Sequence, residues 1–329
     1  MNPVTGAQTG GRVEKECGPL ITDGEAAQRR AALWRRRLER EAELGLRHGA
    51  ETDFHSLRAK WTAMAAVGLL KAVRFYARGR HNACSPRLTD LTFAYPNLPP
   101  DLDGFRILQL SDFHFRSKDH KFTRAVCDLL RGVEADCCVL TGDYAFGYYG
   151  PQDFVLPHLK QVLEVVRAPR GIFAILGNHD ISDLVPGLRA LGITVLINEG
   201  LSLRIGKADL WMAGVDDPHK FRADSLALAL DGAPPDAFKV LLAHTPECIS
   251  EAATHGADLY LCGHTHGGQI RLPIVGAVLL NARCPRRHAM GRWRNGAMQG
   301  YTTVGMGSTD IPVRYLCPPE AARITLRRA

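Results

Sequence analysis

Gly263-His264-Thr265-His266 places two imidazoles one residue apart, flanked by glycine, directly after the apolar run Asp258–Cys262. Alone, such a pair is weak evidence of a site. Four other positions repeat the arrangement. Asp112-Phe113-His114 follows Phe105–Ser111, Gly142-Asp143 follows Asp136–Thr141, Gly177-Asn178-His179-Asp180 follows Gly171–Leu176, and His244 follows Lys239–Ala243. Each apolar run reads as a strand, so each strand end hands a carboxylate, imidazole or amide to a loop. Sheets of α/β proteins bind ligands at the carboxyl ends of their strands, and packing alone does not explain five such ends in one chain.

Asp112, His114, Asp143, Asn178, His244, His264 and His266 offer oxygen and nitrogen donors with no thiolate. That mixture suits manganese, iron or zinc, and argues against a cysteine-rich structural zinc. A carboxylate such as Asp143 can bridge two ions about 3.5–4 Å apart, the spacing used in two-metal hydrolysis. Glycines at 142, 177, 263, 267 and 268 let the backbone turn where ligands converge.

Taken in order, the blocks D-x-H, G-D, G-N-H-D, H and G-H-x-H resemble the signature of the calcineurin-like metallophosphoesterases, over residues 105–325. The resemblance implies an α/β fold: a four-layered α/β/β/α sandwich of two mixed sheets, preceded by an N-terminal helical arm. It also implies two divalent ions, manganese first, with iron or zinc as alternatives. Asp112, His114 and His266 would hold one ion and Asn178, His244 and His264 the other, with Asp143 bridging. His179 matches the non-ligand catalytic histidine, placed to protonate the leaving oxygen or stabilise the transition state. The implied reaction is cleavage of a phosphodiester or pyrophosphate by a metal-bridging hydroxide. Many relatives carry another Asp after Gly-Asp; Tyr144-Ala145-Phe146 stand here, leaving the orienting partner of His179 open, with Asp180 a candidate. "GHTHGGQIRLP" and the segment "VGMGSTDIPVRYLCPPEAARITL" resemble a bacterial, membrane-linked branch that includes UDP-2,3-diacylglucosamine pyrophosphatases of lipid A biosynthesis. A lipid-linked nucleotide is accordingly one expected substrate. Arg271, Arg283, Arg286 and Arg287 follow the metal loop and could grip a second phosphate, or simply be solvated.

The elements that must position these residues alternate between strand-like and helix-like segments. Helices are expected up to Leu130 and near Phe154–Val166, and further strands at Ile193–Ile197, Leu201–Ile205 and Leu210–Ala213. This alternation argues for an α/β domain; by itself it fits a single doubly wound sheet equally well. We expect disorder over 1–24, a basic helical arm and linker over 25–100, and the catalytic domain over 101–329. In the arm, Ala27, Ala31, Trp34, Leu38, Ala42 and Leu46 recur at helical spacing, with Arg29, Arg30, Arg36, Arg37 and Arg40 on the other faces. That helix either packs on the body or leaves a solvated basic face. From Leu57 to Arg78 a second helical pattern gathers Lys60, Lys71, Arg74 and Arg78 into one stripe. It reads as a helix lying in a membrane interface, or else one covering a sheet edge; a transmembrane helix needs about 20 apolar residues.

Charge follows the same division. Residues 1–100 carry 16 Lys and Arg against 10 Asp and Glu, while the remainder carries 25 against 24. A nearly neutral body counts against a nucleic-acid groove, so the expected partners are a phosphoester and, through residues 25–80, a membrane surface. Nine cysteines without repeated C-x-x-C spacing read as free thiols, and the opening residues lack a secretory pattern. On these features the chain is expected to be cytoplasmic, peripheral at the cytoplasmic face of the inner membrane. The other eight histidines, His219 among them, match no block, and Asp216, Asp217 and Asp310 read as structural. Two alternatives stay open: a nuclease or cyclic-nucleotide phosphodiesterase, and a non-catalytic scaffold, which tends to lose ligands that this chain retains.

Overall fold

Alternating apolar residues along two groups of strands build two sheets that face each other across one core. The computed structural model describes residues 24–47, 54–72 and 74–329; apart from Gly24, the segment expected to lack order lies outside them. Helices α1 (Glu25–Glu43), α2 (Phe54–Ala72) and α3 (Tyr76–Ala83) precede strand β1 (Arg87–Tyr95). Alternation follows: β2 (Arg106–Leu110), α4 (His120–Leu130), β3 (Cys137–Leu140), α5 (Val155–Val165), β4 (Ile172–Ala174), α6 (Val185–Ala190) and β5 (Thr194–Val195). The hairpin of β6 (Glu199–Ile205) and β7 (Ala208–Gly214) leads to α7 (Leu226–Ala229), β8 (Phe238–Leu242), α8 (Ile249–Thr254) and β9 (Leu259–Cys262). After them come two hairpins, β10 (Arg271–Leu272) with β11 (Gly276–Ala277) and β12 (Gly291–Asn295) with β13 (Met298–Thr302), and then β14 (Glu320–Arg328).

One six-stranded sheet has the order β1-β14-β2-β3-β4-β5, with β14 antiparallel to β2 and every other pair parallel. The other has the order β12-β13-β9-β8-β7-β6, parallel in the centre and antiparallel at both edges. Successive side chains of a strand point to opposite faces. Ile107 and Val139 therefore enter the core between the sheets, where they meet Met212, Val240 and Leu261. Their neighbours Leu108 and Leu140 pack beneath α4 and α5, against Val126, Leu130 and Leu159. On the far side, Leu241 and Tyr260 pack with Leu226, Ile249 and Ala252 of α7 and α8. The layers run helix, sheet, sheet, helix, which excludes a single doubly wound sheet.

The arm is less separate than its composition suggests. Residues 87–95, assigned to the arm and linker on sequence, form β1 and pair along their whole length with β14. In α1, Trp34 joins the outer core, and Arg37 is buried with Glu41 rather than displayed on a basic face. The Arg37 guanidinium donates to the Glu41 and Asp216 carboxylates and to the Asp180 carbonyl. α2 and α3 are not one continuous helix. The chain bends at Arg74, whose φ is 60°, and α3 is tied to the body where Arg80 and Asn82 donate to the Pro312 and Arg314 carbonyls. Nor is α2 one-sided: Trp61, Met64 and Leu69 are exposed while Ala63, Ala66 and Val67 are half-buried. Among the described residues, no helix is long and apolar enough to cross a membrane, and the eight described cysteines are free thiols.

Candidate metal centre

Five parallel strands, β2, β3, β4, β8 and β9, end at the same edge of the sandwich, and the loops that leave them carry the donors. The loops after β3 and β4 nearly touch: a Cβ on Gly142 would lie 2.5 Å from the Gly177 amide nitrogen. Only glycine permits that approach, which carries Asp143 to the loop of Asn178 and His179. Asp180 locks the junction, its carboxylate accepting the N–H groups of Asp143 (2.7 Å), Tyr144 (2.8 Å) and Gly177 (2.8 Å). The Asp112 carboxylate accepts the His264 N–H through both oxygens, at 3.0 and 3.1 Å, tying the two sheets together at the site.

Four overlapping groups of donors result among the described residues: one joins His179 to His114 and Asp143, one joins His264 to His219 and Glu247, and the other two follow the division expected from the sequence. Asp112, His114 and His266 form one, and Asp143, His244 and His264 the other, with the ligand atoms of each group within 4.8 Å of one another. Asn178 joins the second group, its Oδ1 lying 3.0 Å from His244 Nε2. Asp143 lies between them: its Oδ2 is 3.2 Å from His244 Nε2 and 3.5 Å from His114 Nε2. The structure thus brings together all seven donors read from the sequence. His244 has its Nδ1 2.7 Å from the Thr141 carbonyl, which assigns the proton to Nδ1 and turns Nε2 toward the cluster.

The electrostatics fit cations. Burial pushes His114 and His264 down to about 3, and pushes His266 down as well, so these imidazoles are neutral and offer lone pairs. The Nε2 atoms of His114 and His266 are 3.0 Å apart, an arrangement that needs a proton or a cation between them. Burial raises the Asp112 carboxyl to about 7 against the pull of His244, with Asp143 adding to the rise. Burial lowers His244, but Asp143 outweighs it and holds this imidazole at about 10, while Arg314 reaches His266 only at Nδ1, 3.1 Å away. The crowding of carboxylates and imidazoles on the inner side is the donor chemistry of a divalent-metal site.

His179 stands at the rim. Its backbone N–H donates to Asp143 Oδ1 (2.9 Å), its Nδ1 lies 3.2 Å from the Gly147 carbonyl, and its ring stacks on Tyr148 with centroids 3.8 Å apart. Asp180 is not the orienting partner; its oxygens are turned to backbone amides, and the Gly147 carbonyl takes that place. Tyr148 and Gly147 escaped the sequence reading because a carbonyl and a stacking ring leave no motif. The loop after β7 was missed as well: Val215-Asp216-Asp217-Pro218-His219-Lys220 is a further strand end bearing charged groups, and that repetition was the available signal. His219 Nδ1 is 2.7 Å from Glu247 Oε1, and its ring lies 4.5 Å from that of His264. The arginines do not join the site. Arg283, Arg286 and Arg287 are exposed, Arg283 giving its backbone N–H to Glu247 Oε1, Arg286 donating to the Ala277 carbonyl and Arg287 to His288. Arg271 donates to the Gly267 carbonyl.

Fold and site together define a metal-dependent hydrolase of the α/β/β/α class. Residues 105–282 match the calcineurin-like phosphoesterase superfamily domain, and the chain belongs to that family. It is similar to the uncharacterized metallophosphoesterase YkuE of Bacillus subtilis, with 30% identity over 82% of this chain and 96% of the relative. It is 29% identical to the phosphodiesterase YaeI of Escherichia coli, over 72% of this chain and 86% of that protein. A Bos taurus transmembrane protein with a metallophosphoesterase domain is 32% identical over 82% of this chain and 61% of its own length. These relatives support the broad family rather than the UDP-2,3-diacylglucosamine pyrophosphatase branch expected from the sequence.

Proposed function

We propose that the chain hydrolyses a phosphodiester or pyrophosphate at a dinuclear divalent-metal centre. The supporting observation is the pair of three-donor groups joined by Asp143, with His179 on their rim. Asp112, His114 and His266 would hold one ion and Asn178, His244 and His264 the other, with Asp143 placed between the two groups. Bound ions of this kind supply Lewis acidity and an ionised water near neutral pH. The chain's own residues do the rest. Asp143 keeps its Oδ1 on the His179 N–H, so metal ligation and the position of that imidazole are set by one carboxylate. Burial, with Lys220 adding to it, lowers His179 against the pull of Asp143. With its Nδ1–H given to the Gly147 carbonyl, the neutral ring turns a lone pair on Nε2 toward the site, and Nε2 donates to a phosphoryl or leaving oxygen only once the imidazole has taken up a proton.

The test is turnover of bis(p-nitrophenyl) phosphate by manganese-loaded protein, with metal content measured alongside. His179→Ala is expected to reduce turnover by about 10²–10⁴-fold with both metals retained, whereas Asp143→Asn is expected to lose metal. Unchanged turnover in His179→Ala overturns its assignment.

A second reading concerns place. Trp61, Met64, Leu69 and Phe75 are exposed on one side of the site, and Leu272, Ile274, Val275 and Leu279 on the other. Ala63 and Ala66 of α2, and Val278 and Leu279 after the β10–β11 hairpin, line one cavity of about 490 Å³ together with the metal donors. This collar favours work at a membrane surface on a lipid-linked substrate, of which UDP-2,3-diacylglucosamine is one candidate.

A further inference from the structure

Beside the metal-site cavity lies a second one, of about 900 Å³, and His179 and Asn178 stand in the wall common to both. Its two sides differ in chemistry. One is mainly aliphatic, with Leu44 and Leu46 from the turn after α1 and Met64 and Val67 from α2, and carries Lys71 at the end of α2. Leu46 is itself anchored in a small core with Ile181, Phe221 and Ala223. The rest of the wall is aromatic and polar, with Tyr148, Lys220, His219 and Asp310.

Lys220 is held there by construction. Asp217 accepts the backbone N–H groups of His219 (3.2 Å), Lys220 (2.6 Å) and Phe221 (2.8 Å), which folds the loop after β7 back toward the site. The Lys220 ammonium rests 3.5 Å from the centre of the Tyr148 ring. With His179 stacked on the same ring at 3.8 Å, the ammonium and the imidazole must lie on opposite faces of it. Among the described residues, no carboxylate lies within ion-pair distance of Lys220 and no oxygen accepts a hydrogen bond from its ammonium. A largely buried cation whose near neighbours are the Tyr148 face and, at 5.8 Å, the Phe221 ring, with Asp217 and Asp143 acting on it only from beyond ion-pair distance, is incompletely compensated. A substrate oxygen arriving beside His179 would complete it.

We propose that this second cavity is a subsite for the aliphatic arm of an amphiphilic phosphoester, with Lys220 meeting an anionic oxygen of its phosphate. This rests on the two-metal reading above, which places the phosphorus in the adjoining cavity. The volume lies within the range of small-molecule sites, which are mostly apolar with a few placed polar groups.

The experiment uses methyl-, butyl- and octylphosphonate as competitive inhibitors of bis(p-nitrophenyl) phosphate hydrolysis by the metal-loaded full chain, below their micellar concentrations. Ki is expected to fall along the series, by up to about fourfold for each methylene fully buried. In Val67→Asn the slope against chain length should flatten, read relative to the variant's own methylphosphonate. In Lys220→Met every Ki should rise by a similar factor while the slope persists. A wild-type Ki that does not change from methyl to octyl overturns the subsite, with no variant required. Lys220→Met inhibited as strongly as wild type overturns the role of the cation. Absence of diester hydrolysis would instead sink the two-metal reading, so the failures are distinguishable.

Discussion

Asp112, His114, Asp143, His264 and His266 share a feature that their names do not reveal: all five have positive φ, between 45° and 69°. Left-handed backbone is uncommon for residues with a Cβ and persists where surrounding contacts over-determine it. Asp180 is one of those contacts. Removing its carboxylate leaves three buried N–H groups without acceptors, each costing about 1–3 kcal/mol. Asp180→Ala is therefore expected to lower both thermal stability and metal content. If Asp180 instead only oriented His179, turnover would fall while the melting temperature and metal content stayed put. Lys220 supplies a second residue-scale prediction. Burial lowers its pKa to about 8, against the pull of Asp217, whereas an unfolded lysine titrates near 10.4. Between those values the unfolded chain keeps a proton that the folded one has lost, so this group makes stability rise with pH across about 8–10. Below pH 8 the folded protein carries the charge at a cost on the order of 3 kcal/mol, at about 1.4 kcal/mol per unit of separation. Lys220→Met should thus raise the denaturation midpoint at pH 7 more than at pH 10 while weakening inhibitor binding. An equal shift at both values would mean that the cation is not destabilised in place.

At the level of elements, α1 shows where pattern reading stops. Ala27, Trp34, Arg37 and Glu41 lie on one helical face, and the spacing of Trp34, three residues before Arg37 and seven before Glu41, was visible in the sequence. Charge type assigned Arg37 to the solvated side; only Asp216 and the Asp180 carbonyl, 179 and 143 residues away, reveal that it is buried. Truncating one partner of a buried ion pair costs about 3–5 kcal/mol because the other charge remains. Arg37→Ala is expected to lower stability by about that amount in denaturant unfolding, and joint replacement with Glu41→Ala by less than the sum of the singles. Additive losses would argue that the two side chains do not act together. The same limit explains the strands. Leu91, Phe93 and Tyr95 alternate in β1, as Ala322, Ile324 and Leu326 do in β14, but their pairing joins segments more than 200 residues apart, and no local signal specifies it. The donors after β2, β3, β4, β8 and β9 were legible because each sits beside its own strand. What was not legible is whatever another segment supplies: the Gly147 carbonyl, the Tyr148 ring, and the Asp217 turn that aims Lys220.

Across the whole molecule, chemistry and exposed apolar surface gather at one end. The strands deliver the metal donors to the edge over which α2 and the β10–β11 hairpin project. Ile274 at the hairpin tip is fully exposed and holds φ at 67°, a combination that burial does not reward and that is unfavourable for a β-branched residue. The neighbouring charges are mainly basic: Lys71 at the end of α2, Arg74 at the bend, Arg78 in α3, and Arg283, Arg286 and Arg287 beyond the hairpin, all exposed. An anionic bilayer complements such a surface, at about 1 kcal/mol for each basic side chain near it, and apolar tips add their burial in the headgroup region. On the membrane reading, the chain should co-sediment with phosphatidylglycerol-containing vesicles but only weakly with phosphatidylcholine alone. Binding should fall with salt, since the attraction is screened within about 8 Å at physiological ionic strength. Ile274→Asp combined with Trp61→Asp puts two charges where apolar groups would enter the lipid, and should weaken vesicle binding by tenfold or more. Because neither side chain contacts a metal donor, hydrolysis of a soluble aryl phosphodiester provides the internal control for folding. Retained hydrolysis with lost vesicle binding supports a docking face at the mouth of the site. Equal partitioning of wild type and variant, or a wild type that ignores anionic vesicles, removes the membrane from the account and leaves the aliphatic subsite to stand on its inhibitor series alone.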